Sequence, residues 1–261
     1  ILFNDRRTGL HVPVASPSYE QKMWCLAACA VLTQRNGDRH DILGGVERTD
    51  ANIDKWMGIL SEGGWGIEDR ETLFESLRWI ERGGHRREFE GLALFLSSAD
   101  ERGIKMLDAR ANRDPELKNR IEIVQKHYER LGKKSLVGFD YSRYLSLCGW
   151  GYLIGYISEG EAWGLMLPAA RILQDTFDSW EDLGANYLVG REFWSFESTQ
   201  EVGASYVEAY SWLRSDPKSP WLTIPWDLDL GAMDAERDAR ANADEDVPAD
   251  IEEDAPADPS P

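Results

Sequence analysis

At 261 residues, with 42% hydrophobic and 29% charged side chains, the chain has the size and balance of one large folded domain or two small ones. Its formal net charge of −18 argues against nonspecific binding to nucleic acid, whose phosphates attract Lys and Arg, and against docking on anionic lipid. Half of that charge, eleven Asp/Glu against two Arg, falls in residues 233–261, while eleven tryptophans in the chain require a large aromatic core.

Residues 1–18 mix Gly and Pro with polar residues and read as an irregular arm. The chain opens on Ile1 without an initiator Met, so its true N-terminus is expected upstream, and no signal peptide is visible. Helical periodicity begins at Tyr19 and continues to Gln34, with Met23, Leu26, Ala27, Ala30, Val31 and Leu32 on a broad apolar face that Asn36-Gly37 terminates. Cys25 and Cys29 lie four apart on this helix. With Cys148 they make an odd number without framework spacing, which reads as buried, reduced thiols of a cytoplasmic protein. A short helix over 51–60 carries Ile53, Trp56, Met57 and Leu60. A glycine-rich turn follows, and Asp69 caps a helix over 70–82 that stops at Gly83-Gly84.

His85 to Ser98 reads as another helix, 100–114 as a polar boundary, and 116–131 as a helix striped by Ile121, Val124, Tyr128 and Leu131; Leu131 to Lys134 reads as a linker. Asp140 to Tyr156 is nearly all apolar and is predicted to be a central helix, with Gly151 and Gly155 seating a neighbour. The uncharged run Leu145 to Ser158 is too short for a membrane span of about 20 residues. Ser158 and Glu161 form a capping box for a helix to Phe177. Ser179 caps a helix ending near Gly190, and Ser198 with Glu201 opens one to Leu213. Ser215 to Trp226, with two prolines and two tryptophans, is an extended strap whose indoles plug into the body. From Met233 onward the composition is that of a disordered acidic tail. The expected fold is therefore all-α: one globular domain over 19–232 with eight or nine helices.

Chemistry is harder to place. Asp140 and Arg143 share a face of the central helix, Glu161 lies across the following turn, and His85 with Arg86 sits at a helix junction. Asp140 reads first as an N-cap paired with Arg143, and Glu161 as the capping-box carboxylate. Arg143 is the residue suited to clamp a carboxylate or phosphate, and His85 the one suited to act as a base. At 1.5 Å per residue Asp140 and the two glutamates of the following turn, Glu159 and Glu161, are about 25 Å apart, too far for a catalytic carboxylate pair. Trp65, Trp150, Tyr156 and Trp163 lie at helix ends, either pinning helices or lining a pocket. No metal-ligand spacing, phosphate loop or dinucleotide fingerprint is present, so neither metal nor cofactor is expected.

The runs WGIEDRETLFESLRWIERGGHRREF, FDYSRYLSLCGWGYLIGYISEGEAW, DSWEDLGANYLVGREFW and SPWLTIPW occur in this order. Through them the chain resembles, over about Met23 to Leu230, the bacterial family catalogued as domain of unknown function 1266. The resemblance implies a bacterial source and a helical domain, and no activity. On the residues, the expected role is a non-catalytic protein-binding or regulatory module, of immunity-like kind, whose acidic surface suits a basic partner protein. A homo-oligomeric scaffold is an option. The alternative is a small-molecule hydrolase or transferase with a pocket around Asp140, Arg143 and His85.

Overall fold

The computed structural model describes residues 13–62 and 65–231; the first part of the predicted arm and the acidic tail lie outside the described residues. Within them the chain is helical and without strands, and residues up to Leu230 belong to one compact body. The helices are α1 (Tyr19–Ala28), α2 (Ala30–Asn36), α3 (Asp50–Glu62), α4 (Arg70–Glu81), α5 (Gly84–Ser98), α6 (Glu101–Ala111), α7 (Pro115–Leu131), α8 (Val137–Ile154), α9 (Glu159–Thr176), α10 (Trp180–Trp194), α11 (Phe196–Ser215) and α12 (Pro220–Thr223). The count exceeds the expected number for three local reasons. The first predicted helix breaks at Cys29, the polar segment after residue 100 folds as α6 under an Asp100 cap, and the strap contains the single turn α12. The Leu131–Lys134 linker tightens into a 3-10 turn over Gly132–Lys134.

Most ends follow the residue chemistry. Asp69 caps α4, Ser158 and Glu161 form the reciprocal box that opens α9, Ser179 caps α10, and Gly37 closes α2 in the left-handed region. The start of α11 differs. Its cap is Ser195, so α10 runs past Gly190 to Trp194, and Ser198 lies inside the next helix.

Helix α8 is central: 16 of its 18 residues are buried. Helices α9 and α10 pack along it, with α4, α3, α5 and α1 closing the remaining sides. The expected glycine seam between α8 and α9 does not occur. The space beside Gly151 is filled by Leu73 of α4 and by Ile157, and Gly155 is the left-handed C-cap of α8. A smaller core of Phe89, Ala93, Ile123, Val124, Val189 and Phe193 joins α5, α7 and α10. The strap behaves as predicted. Trp221 donates to the Ala27 carbonyl at 2.9 Å, Trp180 to Ile224 at 2.8 Å, and Trp24 to Trp226 at 2.9 Å, so that each indole N–H satisfies a backbone oxygen. Cys25, Cys29 and Cys148 are buried free thiols, and burial pushes the Cys29 thiol up to about 11.

A cationic, aromatic cavity beside the central helix

Two charged residues on the apolar helix α8 organise this region. Asp140 is fully buried, and its carboxylate reaches across to the start of α5. There it accepts the backbone N–H groups of His85 and Arg86, each at 3.2 Å, and an Arg86 guanidinium N–H at 3.0 Å. Asp140 is thus a cap, but for α5 and not for its own helix, and its ion-pair partner is Arg86 in place of the expected Arg143. Gly84 makes the approach feasible: with φ +50° and the carboxylate oxygen 2.6 Å from where a Cβ would stand, no other residue fits. The first turn of α8 is served from outside as well, by Asn186 of α10, whose side-chain oxygen accepts from Gly138 at 2.9 Å.

Arg143, one turn along α8, is 5% exposed, and among the described residues no carboxylate lies within 4 Å of it. Its guanidinium lies 4.2 Å from the Phe139 ring centroid and 5.0 Å from that of Trp65, and one Nη donates to His85 Nδ1 at 3.3 Å. That bond makes Nδ1 the acceptor and puts the neutral ring's proton on Nε2. The His85 ring stands edge-on to Trp79 and Phe139, and its Nδ1 is 3.6 Å from Asp140 Oδ1. Burial holds the His85 pKa below the usual value, with Asp140 opposing and Arg143 reinforcing the shift. Burial also lowers that of Arg143.

A second buried arginine, Arg191 of α10, completes the arrangement. It is 3% exposed, is held by the Ser198 and Thr199 hydroxyls at 2.5 and 3.3 Å, and lies over the Tyr206 ring at 4.8 Å. Like Arg143 it has no carboxylate within 4 Å among the described residues, and the Nε–H of each finds no acceptor. The Tyr187 and Tyr206 rings lie 6.2 Å apart beside these cations, and neither hydroxyl makes a hydrogen bond among the described residues. Burial drives the Tyr187 phenol pKa upward, so it stays a donor.

All four groups line one cavity of about 460 Å³, within the size range of small-molecule sites. Trp56 and Trp150, stacked at 4.7 Å, form part of its wall. Its more exposed lining includes Arg35, Lys55, Asn36 and the half-buried Asp38. A second lobe of about 420 Å³, containing His85 and Trp79, shares Trp65, Arg143 and Trp194 with the first. Trp65, Trp150, His85 and Arg143 are therefore placed at or beside one cavity.

The remaining predicted residues lie elsewhere. Tyr156, Glu161 and Trp163 belong to the junction of α4, α8 and α9, where Arg70 pairs with Glu161 at 2.7 Å and donates to the Tyr156 carbonyl. Trp163 there donates to Glu159 at 2.9 Å. This junction pins helices together. Sequence reasoning missed Arg191, Tyr187 and Tyr206. The available signal was Arg191 itself, a cation one turn from Tyr187 and Trp194 on a helix otherwise rich in apolar residues.

Among the described residues, no cluster of three His, Cys, Asp or Glu side chains is placed to hold a metal, and no helix is long and apolar enough to cross a membrane. The family model described as "Protein of unknown function (DUF1266)" matches residues 62–226. No curated protein and no solved structure matches the chain. Arg143, Arg191, Tyr187 and Tyr206 fall inside the matched segment, whereas Arg35, Asp38, Lys55 and Trp56 precede it.

Proposed function

Since the chain belongs to the DUF1266 family, whose description carries no activity, we propose from the geometry that it is a non-catalytic binding module whose ligand presents an anionic group to Arg143 and Arg191. One observation carries this reading: two buried guanidiniums and two phenol donors face a single cavity with no carboxylate of the described residues within 4 Å of either cation. A guanidinium cannot shed its proton at physiological pH, and its burial without a carboxylate in direct contact is costly. A phosphate or carboxylate between the two would offset that cost through charge-assisted bonds.

The hydrolase or transferase alternative loses support because Asp140, the carboxylate 3.6 Å from His85 Nδ1, is committed to the α5 amides and Arg86. A ligand is favoured over a basic protein partner because the uncommitted donors line a concave cavity and would repel a basic chain. The buried free thiols suit a cytoplasmic setting.

Calorimetric titration of the full chain with inorganic phosphate and pyrophosphate tests the reading. Saturable one-to-one binding is expected, weakened at least about tenfold in both Arg143→Gln and Arg191→Gln, because a lost charge-assisted bond is worth roughly 1.5–3 kcal/mol. Absence of saturable binding, or affinities unchanged in both variants, overturns it.

A further inference from the structure

We infer that the ligand is a nucleoside phosphate, its phosphate held by Arg143 and Arg191 and its base stacked on an indole of the cavity wall. The inference rests on the anion-binding reading and names the rest of the molecule.

The cavity is far larger than a bare anion requires, and seven of its lining side chains are aromatic. Phosphate alone would leave Trp65 and Trp194, the two of these rings that are not buried, in contact with water, which the hydrophobic effect opposes. The aliphatic lining is confined to Leu32 and Ile59, too little to sheathe an alkyl chain. Flat rings fit better. Trp65 lies beside Arg143 and Trp194 beside Arg191, both rings line the two lobes, and Trp194 is 39% exposed despite its size. Base–indole stacking is sequence-tolerant and strong for its area.

The polar groups away from the arginine pair are of a different kind, and they are the second, independent sign. The Trp56 side chain is 4% exposed and its indole N–H has no acceptor among the described residues. Asp38 supplies a carboxylate, its pKa held above the usual value by burial against the opposing effect of a hydrogen bond with Asn36, whose side-chain oxygen also accepts from Arg35 at 3.2 Å. A simple anion has no use for Asp38, which repels it, whereas the edge of a base requires donors and acceptors together. Polymeric nucleic acid is disfavoured by the net charge of −18, which opposes a long polyanion.

The test is a competition series on the full chain, read by calorimetry and by quenching of tryptophan fluorescence. The probes are AMP, GMP, CMP and UMP, with ribose 5-phosphate, inorganic phosphate, adenosine and benzoate as controls. At least one mononucleotide is expected to bind about tenfold or more tightly than ribose 5-phosphate, the gain of one stacked base. Trp194→Ala, at a partly exposed site, should abolish that gain, weakening the mononucleotide at least about tenfold more than ribose 5-phosphate. An equal loss for both would assign the indole only to the support of Arg191, whose guanidinium lies over it at 4.9 Å, and would overturn the stacking. Trp65→Leu is the second variant, and Arg191→Gln should weaken both. If ribose 5-phosphate or phosphate binds as tightly as every mononucleotide, the nucleotide assignment falls and anion binding stands. If benzoate matches the mononucleotides, the ligand is an aromatic acid and the assignment again falls. If no anion binds, or adenosine binds as tightly as AMP, the anion-binding reading falls with it.

Discussion

Asp140 shows how a single side chain sets the geometry around the cavity. It ties the start of α5 to α8, places Arg86 away from the cavity over Tyr141, and leaves Arg143 with no carboxylate within 4 Å among the described residues. The same contacts hold His85 against Arg143. Replacing Asp140 by Asn removes the charge and turns an N–H toward at least one of three donors. Breaking a buried pair in this way costs about 3–5 kcal/mol. The expected outcome for Asp140→Asn is a loss of unfolding free energy of that size, read as a lower urea midpoint with an unchanged slope. An unfolding free energy within about 0.5 kcal/mol of the parent, the range of ordinary surface substitutions, would mean that the α5 cap carries little weight.

Between elements, the decisive contact is α8 against α10. A Cβ on Gly190 would stand 2.2 Å from the Cβ of Phe139, so the helices meet where Gly190 lacks a side chain. Phe139 in turn supports the Arg143 guanidinium and packs edge-on against Tyr187 at 5.4 Å. Gly190→Ala must separate the helices, since the obstructing atom is close to the backbone. An overpacked core costs typically 1–3 kcal/mol, and here the displacement passes to both Arg143 and Tyr187. The variant should unfold at lower denaturant and bind phosphate more weakly. Unchanged stability would contradict this packing, and unchanged phosphate affinity alone would sever the link between packing and site.

For the whole molecule, charge and burial oppose each other. The chain carries −18, yet the cavity at Arg143 and Arg191 is lined by four cations and one carboxylate, so the local field there runs against the global one. Burial also lowers the pKa of His40, His85 and His127 below 6.5. A histidine with a lowered folded value binds fewer protons folded than unfolded, so its contribution is complete above 6.5 and is lost as the pH falls toward the folded value. Acidification from pH 7.5 to 5.5 should therefore lower the Tm, before the carboxylates titrate. The slope should be shallower in His85→Gln, where the ring facing Arg143, Asp140 and Glu88 is gone. A Tm that is flat or rises over that interval would exclude histidine burial as the main source of the pH dependence.

The residues by themselves determined the helical class, the caps at Asp69, Ser158 and Ser179, the central place of α8 and the plugging of the strap tryptophans. These follow from periodicity, local hydrogen bonding and apolar content, all of which act over a few residues. Arg143 was legible as a candidate because a cation inside an apolar helix must have a purpose. Only the tertiary structure decided that Asp140 caps α5, that Glu161 and Trp163 merely pin a junction, and that Arg143 of α8 meets Arg191 and Tyr187 of α10 and Tyr206 of α11 at one cavity. The physical reason is that periodicity shows which face of a helix is buried, whereas the partner of that face is selected by long-range packing.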